Sequence, residues 1–315
     1  MENELPACEG IDRETLRRLS QRSNLRGLSQ LAAHLALLGA TGYLVHATRG
    51  AIWLLPALLL HGIVLDFVFC ALHESVHRTA FASRRLNDAV AWLAGAVLIL
   101  PPEYFRAFHF AHHRYTQDPA RDPELALPAP AKLSTYLWRA TGLPNWGKRL
   151  RVTLGHALTG RVNEPFIADG KHRSVVREAR VLWLCYGAVL ALSFYFRSSG
   201  ALLYWIVPAV LGQPFLRLYL MSEHMGCELS DDMYANTRTT YTNAAVRLLA
   251  WQMPYHVEHH AFPAVPFHAL ARVNALIRPR IEVSAPGYLA LHASLIRGLR
   301  ATRSGLPGEA RRLSE

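Results

Sequence analysis

The sequence has little cysteine, and this shortage removes several kinds of site. Its four cysteines, among 315 residues, are scattered and form no C-x-x-C pair. They therefore predict neither a disulfide framework nor a cysteine-bound metal or iron–sulfur cluster. The sequence also has no G-x-G-x-x-G motif, so nothing indicates a flavin or nicotinamide site within the chain.

Acidic residues are also scarce, with 23 Asp and Glu against 34 Lys and Arg, for a net charge of +11. Such a charge can indicate nucleic-acid binding. Here the basic residues flank apolar segments, which fits anionic lipid headgroups better. We therefore predict a membrane surface and no nucleic acid as the partner of these charges.

Apolar residues make up 51% of the chain and form long runs, which favours an all-α integral membrane protein. Runs close to the length of roughly 20 residues needed to cross a bilayer come in two pairs, and each pair predicts a helical hairpin. A shorter run ends at a Pro-Pro pair and predicts a re-entrant or interfacial segment. The four predicted spans are 31–47, 51–72, 181–196 and 201–221, and the interfacial segment is 89–100.

Arginine is distributed unevenly around these spans, and this predicts the orientation. The two short turns carry one each, Arg49 and Arg197, whereas the N-terminal segment and the region between the hairpins are rich in arginine. The positive-inside rule places both termini and the central region in the cytoplasm. We predict a cytoplasmic amphipathic segment over 1–30, a membrane domain over 31–283 and a polar tail over 284–315.

Nine histidines suggest a metal centre. Eight lie in three clusters whose i, i+3 and i+4 spacing is that of neighbours on a helix surface, and the ninth stands alone. Neutral imidazole suits iron, copper, zinc or nickel. Nine candidates exceed the three or four protein ligands of a single zinc ion, which suggests two metals. The candidates are His73, His77, His109, His112, His113, His224, His256, His259 and His260.

The predicted topology brings these nine side chains to one side of the membrane, in a cytoplasmic helical cap over the four spans. Their neighbours include acidic residues that could hold the second nitrogen of an imidazole, namely Asp66, Asp118, Asp122 and Glu258. Asp118 and Asp122 each precede proline, so a turn is the alternative for both. The seven remaining histidines are expected to have structural roles: His34, His46, His61, His156, His172, His268 and His292.

The stretches LHESVHR, FHFAHHRYTQDP and MPYHVEHHAFPAVPFHAL, in this order, resemble the three histidine boxes of the membrane fatty acid desaturase and hydroxylase superfamily. The resemblance covers about residues 50–280 and extends to bacterial members. It implies two non-haem iron ions held by the eight boxed histidines, O2 as oxidant and a lipid or acyl substrate. His224 would match an extra histidine that some members supply. Leu220 stands where some of those members have asparagine.

The resemblance favours an O2-dependent desaturase of a fatty acyl chain or related lipid, in a bacterial inner membrane with its active site on the cytoplasmic face. Electrons would come from a separate ferredoxin or cytochrome. A hydroxylase or carotenoid ketolase on the same scaffold is the alternative within this class. Outside it, His73 to His77 satisfies the H-E-x-x-H motif of a membrane zinc peptidase. A metal-binding or lipid-binding membrane protein without enzymatic activity is a further alternative.

Overall fold

The computed structural model describes residues 11–127 and 129–303, and this part of the chain is predominantly helical. The parts of the predicted N-terminal segment and tail over 1–10 and 304–315 lie outside the described residues. The α-helices are α1 Arg13–Leu19, α2 Asn24–Ala47, α3 Leu54–Asp66, α4 Val68–His77, α5 Arg84–Leu98, α6 Pro102–Tyr115, α7 Leu133–Ala140, α8 Leu143–Thr159, α9 His172–Tyr195, α10 Val207–His224, α11 Met233–Asn236, α12 Ala244–Leu249, α13 His256–Ala261, α14 Leu270–Ile277 and α15 Tyr288–Arg303.

Two helical rods are long and apolar enough to cross a membrane, and they form the first predicted hairpin. The first is α2, which begins before the predicted position 31 because the Ser23 hydroxyl accepts the backbone N–H of Arg26 at 3.3 Å. The second joins α3 and α4 through the single residue Phe67. It extends past the predicted end at 72 and stops at Arg78, whose φ of 61° is left-handed.

The second predicted hairpin is also helical, over α9 and then a π-helical turn at Leu202–Ile206 that leads into α10. α10 packs against α3 through two glycines. A Cβ built on Gly212 would lie 2.2 Å from the carbonyl carbon of Gly62, and one on Gly62 would lie 1.9 Å from the Pro208 carbonyl oxygen. The two helices therefore cross with their backbones in contact.

α5 occupies the region predicted as a short interfacial segment, and it ends at Ile99, whose φ of 55° is left-handed. A helix end leaves carbonyl groups without intrahelical partners. Here three of them accept side-chain hydrogen bonds from three other elements: Ala96 from Tyr186 Oη at 2.5 Å, Val97 from Trp205 Nε1 at 2.9 Å, and Leu98 from Arg149 Nη1 at 3.0 Å.

The two ends of the described chain are more structured than the sequence suggested. The predicted surface helix near the N-terminus is interrupted between α1 and α2, and Leu19 at the end of α1 is buried. The predicted polar tail begins with a two-residue strand, β2 Ser284–Ala285, which pairs in parallel with β1 Thr239–Thr240. α15 follows and packs against α10. β1 also contacts α13, the helix that carries the third histidine box.

Candidate metal centre

The structure brings all nine candidate histidines together, in two adjacent clusters. The five-histidine cluster consists of His73, His77, His109, His113 and His259, with one ring nitrogen from each within 4.8 Å of the others. His112, His224 and His260 meet the same condition, and His256 adjoins them with its Nε2 at 3.2 Å from Nε2 of His224. We call these four residues the four-histidine cluster.

The ring nitrogens face one another at distances typical of ligands on a common ion. His113 Nε2 lies 3.0 Å from Nε2 of His109 and of His259. His224 Nε2 lies 3.2 Å from Nε2 of His112 and of His256. Two imidazole nitrogens bound to one ion at about 2.0–2.1 Å would lie about 2.9–3.4 Å apart at octahedral or tetrahedral angles. The donor sets of both clusters therefore fit a transition metal.

The helical spacing within the second and third boxes divides their histidines between the clusters. α6 contributes His109 and His113, four residues apart, to the five-histidine cluster, and His112 to the four-histidine cluster. α13 contributes His259 to the former and His260 to the latter. The second and third boxes therefore each join two metal positions, whereas both histidines of the first box lie in the five-histidine cluster.

Burial keeps these imidazoles neutral, which is the form that binds a metal. It lowers the pKa of His109, His113 and His259 well below the usual histidine value, and neighbouring histidines lower it further. His112 is different. Burial also lowers its pKa, but the carboxylates of Glu124 and Asp122 outweigh this effect and raise the pKa overall.

One of the four acidic residues expected to support a histidine does so. His112 Nδ1 donates to Asp122, at 3.0 Å from Oδ1 and 3.1 Å from Oδ2. Asp118 instead forms the turn, accepting the backbone N–H groups of Ala120 and Arg121. The expectation was wrong for Asp66, whose carboxyl oxygens have no hydrogen-bond partner among the residues that the structure describes. It was also wrong for Glu258, which accepts from Thr239 and Asn274 instead.

The structure adds supporting residues that the sequence analysis did not identify. The Thr116 hydroxyl lies 3.2 Å from Nδ1 of His260, and His224 Nδ1 lies 3.2 Å from the carbonyl oxygen of Asn236. Glu223 Oε1 lies 3.5 Å from Nδ1 of His256. Glu223 had a signal in the sequence, because it is an acidic residue next to a candidate histidine in an apolar helix. The other contacts depend on tertiary structure.

The histidines expected to be structural lie outside both clusters, and most have ordinary partners. His34 Nε2 bonds to the Val64 carbonyl at 2.9 Å and His61 to Thr41 at 2.8 Å. The other partners are Glu164 for His156, Ile167 for His172, Arg26 for His268 and Tyr136 for His292, while His46 is exposed.

Glu74, the acidic residue of the H-E-x-x-H motif, is buried and engaged elsewhere. Its Oε1 accepts the backbone N–H of Phe267 at 2.9 Å. The Thr79 hydroxyl donates to the backbone carbonyl oxygen of Glu74. A zinc peptidase needs this carboxylate as a general base beside the metal. Glu74 instead ties α4 to the segment after the third box, which argues against the peptidase alternative.

The sequence profile of the fatty acid desaturase family matches residues 50–292, a range that contains both clusters. The chain belongs to the fatty acid desaturase family. Membership identifies a metal-dependent, desaturase-type oxidoreductase and implies a lipid substrate and association with a membrane. The three histidine boxes are thus those of the family, as their order along the sequence predicted.

Three characterised relatives match most of the chain. A dihydrorhizobitoxine desaturase of Bradyrhizobium elkanii is 26% identical over 263 residues, covering 77% of this chain and 71% of the relative. A sphingolipid delta(4)-desaturase of Drosophila melanogaster is 27% identical, covering 72% and 67%. A sphingolipid delta(4)-desaturase/C4-monooxygenase of Rattus norvegicus is 26% identical, covering 76% and 69%. All three names include a desaturase activity, but the substrates that they name differ.

Proposed function

We propose that this protein is an O2-dependent di-iron membrane oxidoreductase that desaturates a fatty acyl chain or a related lipid. The observation that carries the proposal is the pair of adjacent histidine clusters, whose Nε2 atoms face one another at 3.0–3.2 Å. One iron would be held by the five-histidine cluster and the other by the four-histidine cluster. When bound, the two ions would supply, with O2, the oxidising power to remove hydrogen from an unactivated C–H bond.

The chain's own contribution is to hold nine imidazole donors in fixed positions. Five of the nine lie on α6 and α4, which are braced by Arg106, whose Nε donates to the Val76 carbonyl at 3.0 Å. Asp122 fixes the ring orientation and tautomer of His112, as outer partners of metal-bound histidines commonly do. The nine rings pack against one another in edge-to-face and stacked pairs, with the His73 and His109 centroids 4.3 Å apart. This packing limits the access of water to the site.

We further propose the topology that the arginine distribution predicts. α2, the α3–α4 rod, α9 and α10 would be the four spans of a membrane domain over 31–283, flanked by segments 1–30 and 284–315. The histidine-bearing cap would face the cytoplasm, in a bacterial inner membrane. A separate ferredoxin or cytochrome would dock on this basic face and supply electrons, because an acidic carrier would be attracted to it.

Hydroxylation is the second candidate. The name of the Rattus norvegicus relative joins a desaturase and a monooxygenase activity, which supports the view that one scaffold can serve both outcomes. After the first hydrogen is removed, the outcome depends on whether the substrate loses a second hydrogen or gains oxygen. Substrate position decides between them.

Lipid profiling by mass spectrometry tests the proposal directly. Membranes of a host expressing the wild-type protein should contain a lipid that has lost two hydrogens, and a gain of one oxygen would identify a hydroxylase. His260→Ala should abolish the product, whereas the matched variant His46→Ala, at an exposed position, should retain it.

Elemental analysis of the purified protein provides the second readout. Two irons per chain are expected. One zinc and no iron, in protein produced with iron available, would overturn the di-iron proposal.

A further inference from the structure

The two histidine clusters differ in what lies behind their rings. In the four-histidine cluster the outward-facing Nδ1 atoms of three rings have oxygen acceptors within 3.2 Å. These contacts join His112 to Asp122, His224 to the Asn236 carbonyl and His260 to the Thr116 hydroxyl. The Nδ1 atom of the fourth ring, His256, forms no hydrogen bond among the described residues, but the Glu223 carboxylate lies 3.5 Å from it as a charge contact.

In the five-histidine cluster, three of the five rings lack this support among the residues that the structure describes. The Nδ1 atoms of His73, His113 and His259 are buried and have no hydrogen-bond partner. These rings are positioned by packing against one another instead. For example, the centroids of His73 and His259 lie 4.6 Å apart, and those of His77 and His259 lie 4.7 Å apart.

Asp122 is itself held rigidly. Its Oδ2 accepts the backbone N–H of Gln117 at 2.9 Å, and its Oδ1 accepts that of Glu124 at 2.9 Å. The side-chain amide of Gln117 in turn donates to the carbonyl oxygen of His224 at 2.8 Å. The loop after α6 therefore delivers a fixed carboxylate to one ring of the four-histidine cluster and clamps the helix end that carries another.

An imidazole whose second nitrogen donates to a carboxylate is fixed in orientation and becomes a more basic ligand, and loss of such a partner typically weakens metal affinity about 10–100-fold. Both effects act at His112, in the four-histidine cluster. We propose that Asp122, assisted by Glu223, is a positioning residue for one of the two irons and makes the two metal positions inequivalent. This inference rests on the proposed function, because it takes the bound metals to be iron.

The experiment follows each iron separately in purified, 57Fe-loaded protein, by iron content during dialysis against a chelator and by Mössbauer spectroscopy. Asp122→Asn should release one of its two irons about 10–100-fold faster than the wild type, with loss of one iron signal and retention of the other. Glu223→Gln should affect the same iron. His77→Ala, which removes a ligand of the five-histidine cluster, should affect the other signal.

Asp118→Asn is the matched control. It makes the same substitution four residues away, at a turn carboxylate that touches no histidine, and should release both irons at the wild-type rate. The inference is overturned if Asp122→Asn retains both irons like the wild type. It is also overturned if folded Asp122→Asn, judged by circular dichroism, loses the two irons together. A wild-type protein that binds fewer than two irons would instead contradict the proposed function itself.

Discussion

At the scale of single residues, the site depends on conformations that the chain would not adopt locally. Gln117 has a φ of 63°, a left-handed conformation that costs roughly 1–2 kcal/mol for a residue with a side chain. This backbone turns the chain so that Gln117 reaches both Asp122 and the His224 carbonyl. Strain of this kind persists where the surrounding contacts hold it in place, and here those contacts are next to the metal ligands.

His224 is the candidate ligand outside the boxes, and its substitution tests whether it belongs to the site. His224 Nε2 lies 3.2 Å from Nε2 of His112 and 3.2 Å from Nε2 of His256. His224→Ala should retain part of the iron but lose turnover, because the ion keeps most of its ligands while its redox properties change. Iron analysis and product formation measure the two effects. A variant with two irons and unaltered turnover would restrict the site to the eight boxed histidines.

Glu74 separates the desaturase from the peptidase alternative. Glu74→Gln keeps the shape of the side chain, and an amide oxygen can still accept the Phe267 N–H. We expect lipid oxidation to continue, with a loss of stability of about 1–3 kcal/mol from weakening a buried charged hydrogen bond. Product formation and thermal unfolding report the two quantities. Complete loss of activity in a folded, iron-loaded variant would mean that Glu74 takes part in the chemistry.

At the scale of elements, α5 shows how a helix can end inside an apolar bundle. Backbone carbonyls in a water-free environment need partners within the protein. α9, α8 and the π-helical turn before α10 each supply one side-chain donor to the last turn of α5. The last turn of α5, within the segment 89–100 that the sequence predicts as re-entrant or interfacial, therefore has side-chain partners for its free carbonyl groups.

Removal of one of these donors should destabilise the bundle. Trp205→Phe retains the ring but loses the N–H that Val97 accepts at 2.9 Å. We expect a loss of about 0.6–2 kcal/mol, the range for interhelical hydrogen bonds in membranes. Denaturant unfolding in detergent measures it. Trp53→Phe, at a position 68% exposed, is the matched control, and an equal loss in both variants would contradict this role of Trp205.

At the scale of the whole molecule, the orientation of the helical bundle in the membrane determines which side the histidine boxes face. Cysteine labelling should place residues near Arg49 and Ser199 outside and residues near Lys148 and the C-terminus inside, because arginine is concentrated on the latter side. The exposed native Cys185 should be removed first. An external C-terminus would be incompatible with a single cytoplasmic cap that contains all three boxes.

The sequence predicted what depends on local spacing. Spacing identified the nine histidines as candidate ligands. The length of the apolar runs predicted the long helices and the short α5. The partners of buried polar groups did not follow, because they come from elements distant in the chain. Asp66 is an example: this carboxyl group, seven residues before His73, suggested a histidine partner, but it has no hydrogen-bond partner among the described residues. The sharing of the second and third boxes between two clusters likewise requires the relative positions of α4, α6, α10 and α13.

The crossing of α3 and α10 has a consequence for the metals. From Gly62 the rod runs about 16 Å to His73, and from Gly212 α10 runs about 18 Å to His224, at 1.5 Å per residue. These two histidines belong to different clusters. The crossing of the two helices at Gly62 and Gly212 therefore affects how far apart they lie. A single methyl group added at either glycine would push the two helix backbones apart at this crossing. We therefore expect the separation of the two proposed metal positions to depend on two glycines that are remote from both.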